Sequence, residues 1–119
     1  MQTLYFENSG DGSFVSHTLP KEVNYSTMFS ILPIKNESKP EKVLLAGNYK
    51  SVNTWQTPYD ASYGVVISPS GQNQFSNIQN SGFYVEGEVR AMKNIVINNM
   101  HYVMVAINNA PLQFFKIKD

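Results

Sequence analysis

The sequence predicts an all-β fold of antiparallel strands, and three observations predict it. Val43, Leu44, Leu45 and Ala46 form a continuous apolar run that stops at Gly47-Asn48, the pattern of a central strand buried on both faces and ended by turn residues. Residues 86–97 (EGEVRAMKNIVI) and 100–107 (MHYVMVAI) read as two long strands joined across Asn98-Asn99, a pair that tolerates the positive φ of a tight hairpin turn. Finally, no segment of the chain sustains a 3.6-residue apolar period.

The remaining elements come in chain order. Residues 3–7 (TLYFE) and 14–18 (FVSHT) alternate as the arms of a hairpin around a Gly/Asp turn at 8–12, and 19–22 is a connector. Residues 27–34 (TMFSILPI) form a third strand and 43–46 a fourth. After the long segment 49–62 the script restarts, with a strand at 64–67, a turn at 68–73 (SPSGQN) and a return strand at 74–78. Residues 108–111 form a turn, and 112–118 (LQFFKIK) a terminal strand. The expected core is Leu4, Phe6, Phe14, Ile31, Val43, Leu45, Val65, Ile67, Phe75, Val89, Val103 and Val105.

The chain also repeats itself. A shift of 61 places Val65, Val66 and Ile67 on Leu4, Tyr5 and Phe6, and a shift of 60 places Val103 to Ala106 on Val43 to Ala46. Two copies of one four-stranded unit account for this, 1–48 and 63–110, separated by the aromatic loop 49–62 and followed by a terminal strand within 111–119. Repeated four-stranded sheets suit β-propeller blades; the alternative is a small β-sandwich of two packed sheets.

Composition excludes several functions. Nine basic and nine acidic residues cancel, and no Lys/Arg cluster is dense enough to neutralise a phosphate backbone, so nucleic acid is not an expected partner. The absence of cysteine removes disulfides, thiol nucleophiles and Cys-type zinc sites. No apolar run has the length of a membrane span. Met1-Gln2 leads into TLYFE without a basic and then apolar leader, so an export signal, where the natural protein carries one, is expected upstream.

Candidate sites are few. The segment 49–62 is long for a connection without periodicity, and it holds the only Trp. Asn48, Asn53, Trp55, Tyr59, Asp60 and Tyr63 have the aromatic and amide make-up of a protein- or carbohydrate-recognition surface, where ring faces stack and amides give direction. The same rings would equally serve as self-packing caps between sheets. Asp60 and Arg90 each need a partner if removed from water, and are expected to pair. Glu86 and Glu88, two apart on one strand, offer the carboxylates of a hydrolase, as does Asp60, although such pairs are usually a solvated face. His17 and His101 lie within strands with no nucleophile placed beside them. Asp11 supplies one carboxylate to a turn, too few for calcium. Asn24-Tyr25-Ser26 and Asn36-Glu37-Ser38 match the glycosylation sequon without further support.

Leu45-Ala46-Gly47, then Pro58, then Gly64 resembles the cage motif of FG-GAP repeats, the blades of integrin-α-type propellers. LLAGN, YDASYG, SGFYVEGEVRAM and NNAPLQFFK, in that order, resemble the C-terminal end of secreted FG-GAP/VCBS repeat proteins of Bacteroidetes-type bacteria. The resemblance implies a non-enzymatic interaction or scaffold module, with further blades or another copy of the chain as neighbours. It also implies a secreted, periplasmic or outer-membrane surface location. Such repeats place an Asp-rich calcium loop before the apolar strand; here KNESKPEK (35–42) stands there, so neither a metal nor a cofactor is expected. Two alternatives are a carbohydrate-active hydrolase and a stand-alone carbohydrate-binding β-sandwich.

Overall fold

In a computed structural model of the chain, the structure describes residues 3–36, 39–48, 62–71, 74–78 and 81–117. Apart from one short 3-10 turn, the regular elements are strands: β1 (Leu4–Asn8), β2 (Phe14–Thr18), the turn Lys21–Asn24, β3 (Met28–Asn36), β4 (Lys39–Gly47), β5 (Val65–Gly71), β6 (Gln74–Asn77), β7 (Val89–Ile97), β8 (Met100–Ile107) and β9 (Gln113–Lys116). Among the described residues every pairing is antiparallel, and no sheet closes into a barrel. The all-β expectation therefore holds, in an arrangement compatible with a β-sandwich.

The strands group as β1-β2, β3-β4-β5-β6 and β7-β8-β9. The repeat leads one to expect a four-stranded sheet within residues 1–48. The four-stranded sheet instead takes β3 and β4 from before the long segment and β5 and β6 from after it. The reason lies in β4. An apolar strand needs a ladder on both edges, and Val65-Val66-Ile67 is as apolar as Val43-Leu44-Leu45, so the two pair in register, Leu44 opposite Val66. On its other edge Leu44 lies opposite Leu32 of β3.

Side chains alternate along β4, and each face meets a different layer. Leu44, Ala46 and Val66 pack with Val85, Val89, Val103, Val105 and Ile107 beneath the three-stranded sheet. Leu45, Val65 and Ile67 turn the other way, against Val23 of the 3-10 turn, with Leu19 and Phe75 at the margin. Burial on both faces is what the apolar run predicts. At its end Gly47 is required by close approach: a Cβ there would lie 1.8 Å from the Thr27 carbonyl oxygen, inside any tolerable contact.

The hairpins mostly match their reading. Asn98 (φ 51°) and Asn99 (φ 62°) both take positive φ in the two-residue turn that sets Ile97 opposite Met100. The strand expected at 86–97 begins only at Val89, because Gly87 takes φ 101° and breaks the extended backbone. β5 continues to Gly71 through the turn expected at 68–73, and Pro69 is tolerated because the ladder to β4 has already ended at Ile67.

Of the expected core, Leu45, Val65, Ile67, Val89, Val103 and Val105 are buried, and Val43 and Phe75 are partly so. Leu4, Phe6, Phe14 and Ile31 are exposed, a correction with a simple cause. The β1-β2 ribbon turns its Tyr5 face toward the four-stranded sheet, with Tyr5 edge-on to Phe75 at 5.4 Å between ring centroids. Leu4 and Phe6 alternate with Tyr5, and Phe14 lies opposite Asn8, so all three fall on the other face, which no layer covers among the described residues. Ile31 lies on the edge strand β3.

These two environments predict different costs. Leu45→Ala should lower the unfolding free energy by about 2–5 kcal/mol in urea denaturation, because it opens a cavity between layers. Phe6→Ala should change it by less than about 0.5 kcal/mol. Equal losses would contradict the layer assignment.

Candidate functional site

Asn48 follows Gly47 directly, and its position is set by the end of β4. Its own N–H donates to the Thr27 carbonyl at 2.9 Å, and it holds φ 83°, a conformation that Asn adopts more readily than other side-chain-bearing residues. The side chain is buried, and it bonds main chain in two distant segments. Nδ2 donates to the carbonyls of Ser62 (2.7 Å) and Gly87 (2.9 Å), and Oδ1 accepts from the Ser62 N–H at 3.2 Å. Both amide hydrogens are therefore committed to backbone, and Asn48 acts in this structure as a clasp rather than as an open ligand contact.

The clasp places Ser62 beside the end of β4 and orients the residues that lead into β5. Tyr63 is half exposed, and its carbonyl accepts from the Val85 N–H at 2.9 Å, which draws the 81–88 segment alongside. Gly64, at φ 93°, lets the chain turn into β5 beneath Phe83, whose ring lies 2.7 Å from where a Cβ would stand. Phe83 turns inward, edge-on to Phe115 at 5.0 Å, while the next residue, Tyr84, turns out. Tyr84 and Tyr63 then stack, centroids 4.9 Å apart and planes 9° from parallel.

The stacked pair lines a groove of about 770 Å³, within the range of small-ligand sites, roughly 300–1,000 Å³. Glu22 and Tyr25, with Asn77, Ile78 and Ser81, are among the residues that complete it. Among the described residues no Lys, Arg or His lines it. The Tyr84 hydroxyl donates to Glu86 Oε1 at 3.0 Å, which fixes the ring and, by stabilising the protonated phenol, raises its pKa above the usual tyrosine value.

The remaining candidates separate. Glu86 and Glu88 do not form a pair: with Gly87 breaking the strand between them, Glu86 is exposed beside Tyr84 and Glu88 is buried. Glu88 Oε2 accepts from Arg90 Nη2 at 2.6 Å and from Asn108 Nδ2 at 3.3 Å, and the Arg90 guanidinium lies 4.8 Å over the Phe29 ring. Arg90 thus has a carboxylate partner in its own strand region. The expected pairing with Asp60, like the placement of Asn53, Trp55 and Tyr59, lies outside the described residues.

Asp11 accepts from the Ser13 hydroxyl, from Ser9 Oγ and from the Ser13 N–H, which lower its pKa to about 2; it closes the β1-β2 turn. His17 Nε2 lies 3.4 Å from Glu7 Oε1, and His101 is exposed. Among the described residues no group of three or more His, Cys, Asp or Glu could hold a metal ion, and no helix is long and apolar enough to cross a membrane.

Of the sequence-predicted site, Tyr63 alone among the described residues both lines the groove and faces solvent. Tyr84, its partner, escaped the sequence reading; its signal was the Phe83-Tyr84 pair set between Gly82 and Gly87, a second short aromatic loop.

The clasp yields a graded expectation. Asn48→Gly keeps the backbone conformation but deletes three hydrogen bonds, two of them buried and one partly so, and should cost about 2–3 kcal/mol of stability in urea denaturation. Asn48→Asp should cost more, because a carboxylate cannot donate and would face two carbonyl oxygens. An Asp variant as stable as the Gly variant would mean that the amide donors do not matter. Compared with protein-family models, curated proteins and solved structures, the chain has no significant match to any of them.

Proposed function

We propose that the protein is a non-enzymatic interaction module that binds its partner through the tyrosine-lined groove. The observation that carries this reading is the Tyr63/Tyr84 stack. Two large rings are held face to face in solvent by a backbone bond, a clasp and a carboxylate, and exposed aromatic bulk fixed in this way suits contact with a ligand better than it suits packing. Support also comes from the carboxylates. Acid-base hydrolysis needs two that converge on one bond, whereas Glu88 is tied to Arg90 and Asn108 and Glu86 to Tyr84.

The setting is read from the resemblance. The chain acts as a terminal β-propeller segment of an exported or surface-displayed FG-GAP/VCBS-like protein, with its sheets serving as blades and further blades, or another copy of the chain, as neighbours. The near-60-residue spacing of the apolar strands 43–46 and 103–106 supports that reading.

The test is turnover. Incubated with chromogenic glycosides and with soluble polysaccharides, the full chain should release no product above background. Product release that disappears in Glu86→Gln or Asp60→Asn would overturn the reading in favour of a hydrolase.

A further inference from the structure

Resting on that assignment of the groove, we infer that its ligand is a neutral oligosaccharide, with the apolar face of a pyranose ring laid on the Tyr63/Tyr84 stack. Charge comes first. Glu22 is among the residues that line the groove, Glu86 is bonded to the Tyr84 hydroxyl beside it, and the described lining has no cationic side chain. A sulfated, uronic or phosphorylated ligand would enter against like charge with nothing in that lining to pair its anion.

Geometry then separates the uncharged from the cationic. A cage for an ammonium group sets ring faces at steep angles around one point, so that several π-clouds converge on the charge. Tyr63 and Tyr84 do the reverse. Their planes lie 9° from parallel, so the faces between them are consumed by the stack, and what remains is the flat outer face of each ring with the edges of both. A flat, weakly polar face complements the axial C–H groups of a pyranose.

The rim supplies direction. Asn77, Ser81 and Glu22 are among the lining residues, types that offer a sugar hydroxyl both donors and acceptors, and the Ser81 hydroxyl, whose oxygen accepts from the Phe83 N–H at 3.2 Å, keeps its proton to donate. At Tyr84 the hydroxyl proton is directed to Glu86 Oε1, which leaves the phenolic oxygen able to accept and Glu86 Oε2 able to receive a ligand hydroxyl. A volume of about 770 Å³ gives room for more than one ring. Affinity should come chiefly from the aromatic faces and direction from the rim.

The experiment follows the tyrosine ring signals of the full chain by NMR. Neutral glucose-, xylose- and N-acetylglucosamine-based oligosaccharides are titrated in, beside a sulfated oligosaccharide and a proline-rich peptide. At least one neutral oligosaccharide should shift the Tyr63 and Tyr84 signals saturably. Tyr84→Ala should weaken that binding about tenfold, a loss of ~1.4 kcal/mol. Tyr84→Phe, which keeps the stack and loses the phenolic oxygen with its bond to Glu86, should weaken binding less than Tyr84→Ala does, and both variants should keep the parent melting temperature.

Saturable shifts with the peptide or the sulfated sugar alone would overturn the neutral-glycan inference and leave the interaction module standing. Glycan binding that spares both tyrosines, or is unchanged in Tyr84→Ala, would overturn the placement of the ligand. No shift with any probe would overturn the inference together with the groove as a recognition surface.

Discussion

The side-chain amide of Asn48 ties the end of β4 to the segments that lead into β5 and β7. One side chain, at the end of the most buried strand, holds the carbonyls of Ser62 and Gly87 and the N–H of Ser62. Those residues are 14 and 39 positions away in sequence, so the clasp closes two long stretches of chain at one point. Ser62 leads into β5 and Gly87 into β7, and a single polar contact therefore fixes where the second half of the four-stranded sheet and the first strand of the three-stranded sheet begin. Buried polar groups stabilise only when their partners are complete, and here both donors and the acceptor are engaged.

The groove is a consequence of that closure. With Ser62 held, Tyr63 can point only outward before Gly64 bends the chain under Phe83; with the 81–88 segment drawn in by the Val85 bond, Tyr84 comes beside it. Beneath them the two-sided burial of β4 gives a rigid base, since Leu44 and Leu45 anchor opposite layers. The recognition surface thus consists of side chains whose backbones are set by the core, an arrangement that limits the ordering cost of binding.

Some of this was legible in the sequence and some was not, for physical reasons. A run apolar at consecutive positions, such as 43–46, can only be buried on both sides, and Asn98-Asn99 between alternating strands has few alternatives to a tight turn. Alternation in the first hairpin distinguished two faces, but Tyr5 and Phe6 are both apolar enough to turn inward, and only the Tyr5 contact with Phe75 decides between them. The grouping of strands into sheets was hidden for a similar reason: β4 could pair with any apolar edge, and Val65-Val66-Ile67 proved the best complement. At the site, Asn48 and Tyr63 stood out by composition. Their division into clasp and contact depends on burial, and the Tyr84 partnership on a fold that brings 63 and 84 together.

Ser62 belongs to the cooperative core through Asn48. Native-state amide hydrogen exchange measures this directly. The Ser62 N–H, which donates to the Asn48 side-chain oxygen, should exchange only with the opening that also releases the buried β5 amides, and in Asn48→Gly it should exchange orders of magnitude faster while β8 amides remain protected. A Ser62 amide that exchanges in the parent protein at the rate of an unstructured peptide would contradict the account.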